Sequence, residues 1–96
     1  MDRIFNVNNF SFSNTLTSSG RKYYFMYKDD NDDDYCIEGN IIFGYEQKDF
    51  DVFPYISHIE IVENGFDNYV SDTDIEHIEE VLENIDLKLI FNSETF

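Results

Sequence analysis

Residues 21–28 read Arg-Lys-Tyr-Tyr-Phe-Met-Tyr-Lys. In an extended chain successive side chains point to opposite faces. Tyr23, Phe25 and Tyr27 then share one face, and Tyr24 and Met26 share the other. A strand that is apolar on both faces belongs in the middle of a sheet. Residues 35–45 resume the same period, with Ile37, Ile41, Phe43 and Tyr45 in phase and Gly39-Asn40 interrupting, which predicts a bulge. Between the two runs lies Asp29-Asp30-Asn31-Asp32-Asp33-Asp34, which cannot bury itself and so forms an exposed loop. Residues 21–46 therefore predict an antiparallel hairpin with an acidic tip.

The remaining pattern adds strands and one helix. Ile4-Phe5-Asn6-Val7 is a short candidate strand, and Phe10 to Ser13 alternates apolar with polar, with Leu16 extending it. Thr17-Ser18-Ser19-Gly20 has the composition of a turn. Residues 48–55 read as a connection, with Phe50, Val52 and Phe53 spaced to tuck under it and Pro54 blocking a central strand. Residues 56–62 read as another strand, and Asn64-Gly65 is a turn signal before Phe66, Tyr69 and Val70. Ser71 with Asp74 and Thr73 with Glu76 form overlapping capping boxes. Ile75, Ile78, Leu82 and Ile85 follow at helical spacing, so a helix runs to about Asn84. Residues 86–91 alternate like a last strand, with helix continuation as the alternative, and residues 92–96 read as a frayed tail. The expected fold class is α+β: a single domain over residues 1–96, built as one antiparallel sheet of about four to five strands with one C-terminal-half α-helix packed on one face.

Charge bounds the function. Twenty-one carboxylates face six Lys and Arg, a formal net charge of −15 on 96 residues. Ten Phe and seven Tyr distinguish the chain from a disordered acidic tail. Abundant Asn, Ile and Phe without any Ala fit AT-rich coding, but such coding favours more lysine than Lys22, Lys28, Lys48 and Lys88. Solubility asks only for a net charge of magnitude about 2–8. The surplus points to a cationic partner, against the alternatives of a merely solvated surface or a high-salt habitat. The sign argues against direct nucleic-acid binding and against anionic membranes. A lone cysteine, Cys36, makes no internal disulfide, and the N-terminus lacks the apolar core of a signal peptide, which together predict a reducing cytosol.

Few residues suggest chemistry. His58 lies in a strand, facing away from Ile59 and Ile61, and His77 lies among helix glutamates; neither forms a metal-ligand or nucleophile–base pattern with Cys36. Aligning Asp29, Asn31 and Asp33 with the first ligands of an EF-hand loop puts Asp34 where glycine is needed and Asn40 where a bidentate Glu is needed. Weak divalent binding by residues 29–34 is kept as a lesser alternative. No acid is singled out for acid–base work, so no catalytic residue, metal ligand or cofactor is assigned, and the chain is expected to act by binding.

The binding residues are read from charge geometry. Asp72, Glu76, Glu79, Glu80 and Glu83 fall on one helix face, with no Lys or Arg between Lys48 and Lys88. Exposed helix faces usually interleave such cations for pairing. From Glu76 to Glu83 is about 10 Å, with phosphates of one DNA strand roughly 6–7 Å apart. The loop residues Asp29, Asp30, Asp32, Asp33 and Asp34 form a second charged ridge, and Asp49 and Asp51 add to it. Tyr35 or Tyr69 would supply the aromatic anchors that charge alone lacks.

The stretch from Pro54 to Gly65, with its Ile59-Glu60-Ile61 strand and Asn64-Gly65 turn, and the helix start Ser71-Asp72-Thr73-Asp74-Ile75-Glu76-His77-Ile78-Glu79-Glu80 resemble a layout found in small bacteriophage proteins. No activity comes with that layout. In size, charge and α+β make-up the chain is similar to phage-encoded anti-defence proteins of the anti-CRISPR and anti-restriction DNA-mimic kind. That similarity is one of composition, and no functional residue is carried over from it. It implies an inhibitor, monomeric or homodimeric, whose partner is a basic host protein such as a nuclease or CRISPR effector. The alternative is a phage structural or assembly accessory that self-associates through sheet edges.

Overall fold

The computed structural model describes residues 4–31, 35–64 and 70–95. Its elements run β1 (Phe10–Thr17), β2 (Gly20–Lys28), β3 (Cys36–Lys48), β4 (Asp51–Asn64), α1 (Asp72–Glu83), α2 (Lys88–Phe91) and β5 (Glu94–Thr95). The sheet order is β4-β3-β2-β1-β5. The doubly apolar run 21–28 is indeed the middle strand. All pairings are antiparallel except the short parallel one between β5 and β1. The fold is α+β with a single, mostly antiparallel sheet.

Register explains which side chains enter the core. Phe10 lies opposite Tyr27 and Phe12 opposite Phe25; across the other edge of β2, Phe25 faces Gly39 and Tyr27 faces Ile37. Cross-strand partners share a face, so these residues line one side of the sheet. Ile78 and Leu82 of α1 and Ile90 of α2 are fully buried against that side. Phe5 adds a lid, its ring 4.9 Å from Tyr27 in edge contact. Gly39 is required by the close approach: a Cβ there would stand 2.5 Å from the Phe25 ring and 2.6 Å from the Glu60 carbonyl oxygen. Register shifts follow Glu38 and Ile42, and each leaves an extra residue on β4, Val62 and Ser57. The irregularity expected at Gly39-Asn40 thus lies beside Gly39 but on the partner strand, and Gly39 and Asn40 are themselves paired.

Several expectations are corrected. Residues 4–7 form no strand; Val7–Asn9 is a single 3₁₀ turn, capped by the Asn6 side chain accepting from the Asn8 N–H at 3.0 Å. Residues 48–55 are not a connection. Asp49 and Phe50 make a two-residue turn, both at positive φ, and β4 starts at once at Asp51. Pro54 is accommodated because β4 is an edge strand. Phe50, Val52 and Phe53 tuck under nothing and stand exposed.

The expected last strand at residues 86–91 is instead a turn at Leu87 leading into α2 (Lys88–Phe91). Asp86 accepts from the Lys88 N–H at 3.0 Å and starts the turn. Ile90 is buried and Leu87 and Phe91 half-buried at helical spacing, while Leu89 is exposed. The tail is also tied down, through Asn14 on β1, which is 1% exposed. Its amide donates to the carbonyl and hydroxyl oxygens of Ser93, both at 2.9 Å, and its carbonyl oxygen accepts from Thr95 at 3.0 Å and from Arg21. These bonds seat β5 beside β1. The turn signal Asn64-Gly65 and the continuation at Phe66 and Tyr69 lie at or beyond the limit of the described residues.

Beyond Ile41, β3 pairs with β4 alone. A two-stranded ribbon about 20 Å long at ~3.3 Å per residue therefore leaves the body of the sheet. Tyr23, Phe43 and Phe91 pack together at its base, with centroids 4.9–5.4 Å apart. The ribbon accounts for the 45 × 28 × 21 Å extents and the 14.1 Å radius of gyration, against about 12.5 Å for a compact chain of this length.

Candidate functional site

The helix start fixes the acidic stripe. Of the overlapping capping boxes, Ser71 with Asp74 forms: the Ser71 hydroxyl accepts from the Asp74 N–H at 3.1 Å, and the Asp74 carboxylate accepts from the Ser71 N–H at 3.4 Å. Thr73 lies inside the helix, so the Thr73–Glu76 box is not used, and Glu76 projects from the helix as an exposed side chain. Asp72, Glu76, Glu80 and Glu83 are exposed and Glu79 half-buried, opposite the buried Ile78 and Leu82. The structure thus brings these carboxylates onto one face. No basic residue stands in the last turn of α1. Glu83 therefore sits where the helix dipole disfavours an anion, whereas Asp72 sits where it favours one.

The loop ridge is built differently. Asp29 is half-buried: its carboxylate accepts from the Tyr27 hydroxyl at 2.9 Å and from the Asn31 N–H at 3.2 Å, and its N–H donates to the Tyr35 carbonyl at 3.1 Å. It organises the neck of the loop. Asp30 is exposed, and Asp32, Asp33 and Asp34 lie outside the described residues. Tyr35 is not a surface anchor. It is 3% exposed and packs against Phe5 and Tyr27, because the strand period places it on the core side. Tyr69 lies outside the described residues.

The other candidates are dispersed. His58 is on the open face, its Nδ1 3.2 Å from the Ser57 hydroxyl and its Nε2 3.6 Å from Glu60. His77 is half-buried and lines a groove of about 680 Å³ between residues 4–7 and α1, with Glu80 on the same wall. Cys36 is a half-buried free thiol. Among the described residues no three His, Cys, Asp or Glu side chains gather as a metal site requires, and no helix is long and apolar enough to cross a membrane.

The protruding ribbon is not anticipated by the sequence pattern. The ribbon carries exposed Tyr45, Phe50, Val52, Phe53 and Tyr55, with Glu46, Asp49 and Asp51 among them. The sequence signal is weak: the polar run Glu46-Gln47-Lys48 and the adjacent apolar pair Val52-Phe53 break the strand alternation on either side of Asp49-Phe50, and that dipeptide lacks the glycine that normally marks a two-residue hairpin.

Compared with known proteins, the chain matches no family model, no curated protein and no solved structure.

Proposed function

We propose that this protein acts by binding, as an inhibitor that occupies the basic nucleic-acid-binding cleft of a larger protein and competes there with DNA or RNA. A host defence nuclease or a CRISPR effector in the bacterial cytosol has the required chemistry. One observation carries the reading: Asp72, Glu76, Glu79, Glu80 and Glu83 lie along one face of a capped, core-anchored helix with no interleaved cation. A rigid carboxylate row can meet the same Lys and Arg side chains as a phosphate row. Such association is fast and salt-sensitive. No catalytic group is assigned: among the described residues Ser57, His58 and Glu60 lie together, but as chain neighbours on an exposed strand face.

The test is capture from bacterial lysate on the tagged protein at about 50 and 500 mM salt, with DNA as competitor. A nucleic-acid-binding protein held at low salt and released by DNA supports the reading. Recovery of the bait alone at both salts contradicts it. The open outer edge of β4, a strand of 14 residues, favours a second reading, a phage assembly accessory that self-associates by edge pairing. That reading predicts a stable oligomer indifferent to charge reversal on α1.

A further inference from the structure

The β3–β4 ribbon has two unusual costs at its tip. Phe50 is 100% exposed and sits at φ 78°. A bulky residue is disfavoured in that left-handed region, where glycine or asparagine is the low-energy choice. An apolar ring at the end of a protrusion also gains nothing from burial within its own chain. Both costs would be relieved by glycine. Their coincidence at one residue points to an external contact.

The neighbours define the chemistry of that contact. On one ribbon face Tyr55 lies across from Gly44, Phe53 from Glu46, and Asp51 from Lys48; on the other Tyr45 lies across from Pro54 and Val52 from Gln47. The first face thus sets Phe53 beside Glu46 with Asp51 next toward the tip, and the second face carries Tyr45 and Val52 without a carboxylate. Around the tip, Glu46, Asp49 and Asp51 outnumber Lys48. A second copy is a poor occupant, because each chain carries −15 and the tips repel. An anionic lipid surface is repelled for the same reason. The complementary surface is cationic at its rim and flat and apolar within. Channels that bind single-stranded nucleic acid combine those properties, a basic groove with aromatic platforms for stacking bases.

We infer that the ribbon tip is a docking element, with Phe50 as its anchor and Phe53 and Tyr55 beside it, that inserts into a protein cleft having an apolar or aromatic floor and a Lys/Arg rim. The inference rests on the reading of a cationic partner and adds the part of the partner that the helix stripe does not reach.

Two synthetic peptides of equal length and charge serve as probes, one alternating arginine with tryptophan and one alternating arginine with serine. The protein has no Trp, so peptide fluorescence reports binding directly, and labelled anisotropy serves for the serine peptide. The tryptophan peptide is expected to bind about tenfold more tightly. Phe50→Gly is expected to remove that preference while leaving the serine peptide unchanged, with a melting temperature no lower than wild type. Equal binding of the two peptides, or a preference that survives Phe50→Gly combined with Phe53→Ser, overturns the inference. The triple variant Glu76→Gln, Glu80→Gln, Glu83→Gln separates the two ideas. If it leaves binding of both peptides intact while Phe50→Gly removes the preference, the stripe reading fails and the ribbon stands. If it weakens both peptides while Phe50→Gly changes nothing, the ribbon fails and the stripe stands. No binding of either peptide removes both. A wild-type dimer that Phe50→Gly makes monomeric, or sedimentation with anionic phospholipid vesicles that Phe50→Gly abolishes, also overturns the inference.

Discussion

Removing charge from α1 should make the protein more stable. Five like-charged pairs lie three or four residues apart on the exposed face: Asp72–Glu76, Glu76–Glu79, Glu76–Glu80, Glu79–Glu83 and Glu80–Glu83. Each such pair costs about 0.2–0.5 kcal/mol at low salt. The triple change Glu76→Gln, Glu80→Gln, Glu83→Gln touches every pair. Gln and Glu have nearly equal helix propensity, and the change at Glu83 also removes an anion from the C-terminal end of the dipole. The expected gain is about 1–2.5 kcal/mol. For a domain of this size it raises the melting temperature by about 5–15 °C. The assay is thermal unfolding followed by circular dichroism in ~10 mM salt and again in ~1 M salt, where a Debye length of about 3 Å should erase most of the gain. An unchanged or lowered melting temperature at low salt would refute the reasoning. It would mean that the fold itself compensates these carboxylates, leaving no unrelieved charge for a partner to meet.

Gly39→Ala should cost about 1–3 kcal/mol, because the added methyl meets the Phe25 ring and the Glu60 backbone. Gly44→Ala should stay within about 0.5 kcal/mol, since its methyl meets only the exposed Tyr55 ring, which can swing away; urea midpoints of the two variants decide. Asn14→Leu should cost about 1–3 kcal/mol by orphaning the partners of a buried amide. Its effect should appear in hydrogen exchange as lost protection at Glu94 and Thr95, with α1 unaffected.

The parts of the fold that depend on local period were legible in the sequence. The doubly apolar run through Phe25 and Tyr27 marked the central strand, and the overlapping Ser71–Asp74 and Thr73–Glu76 boxes placed the helix start to within two residues, of which the first is the one that forms. The errors lie where a local rule met a tertiary one. Leu87, Leu89 and Phe91 alternate as a strand would, but the Asp86 side chain begins a helical turn that buries Ile90. Residues 94–95 carry no strand pattern, and β5 exists only because a buried Asn14 reaches them from a distant part of the chain. Phe50 and Phe53 were expected under a loop because apolar residues usually bury, and nothing local says that the hairpin outruns its sheet. In the candidate site, the stripe followed from helix geometry alone. The role of Asp29 as a loop tie and the burial of Tyr35 required the packing of Phe5 and Tyr27 to be known.

The central claim is that the α1 carboxylates meet a cationic nucleic-acid cleft. It is tested most directly by measuring the affinity of the captured partner for wild type and for the triple Gln variant across a salt series. The account predicts a loss of about tenfold or more at low salt and a shallower salt dependence, from a variant that is itself more stable. Unchanged affinity with an unchanged salt dependence would contradict it and place the interface elsewhere.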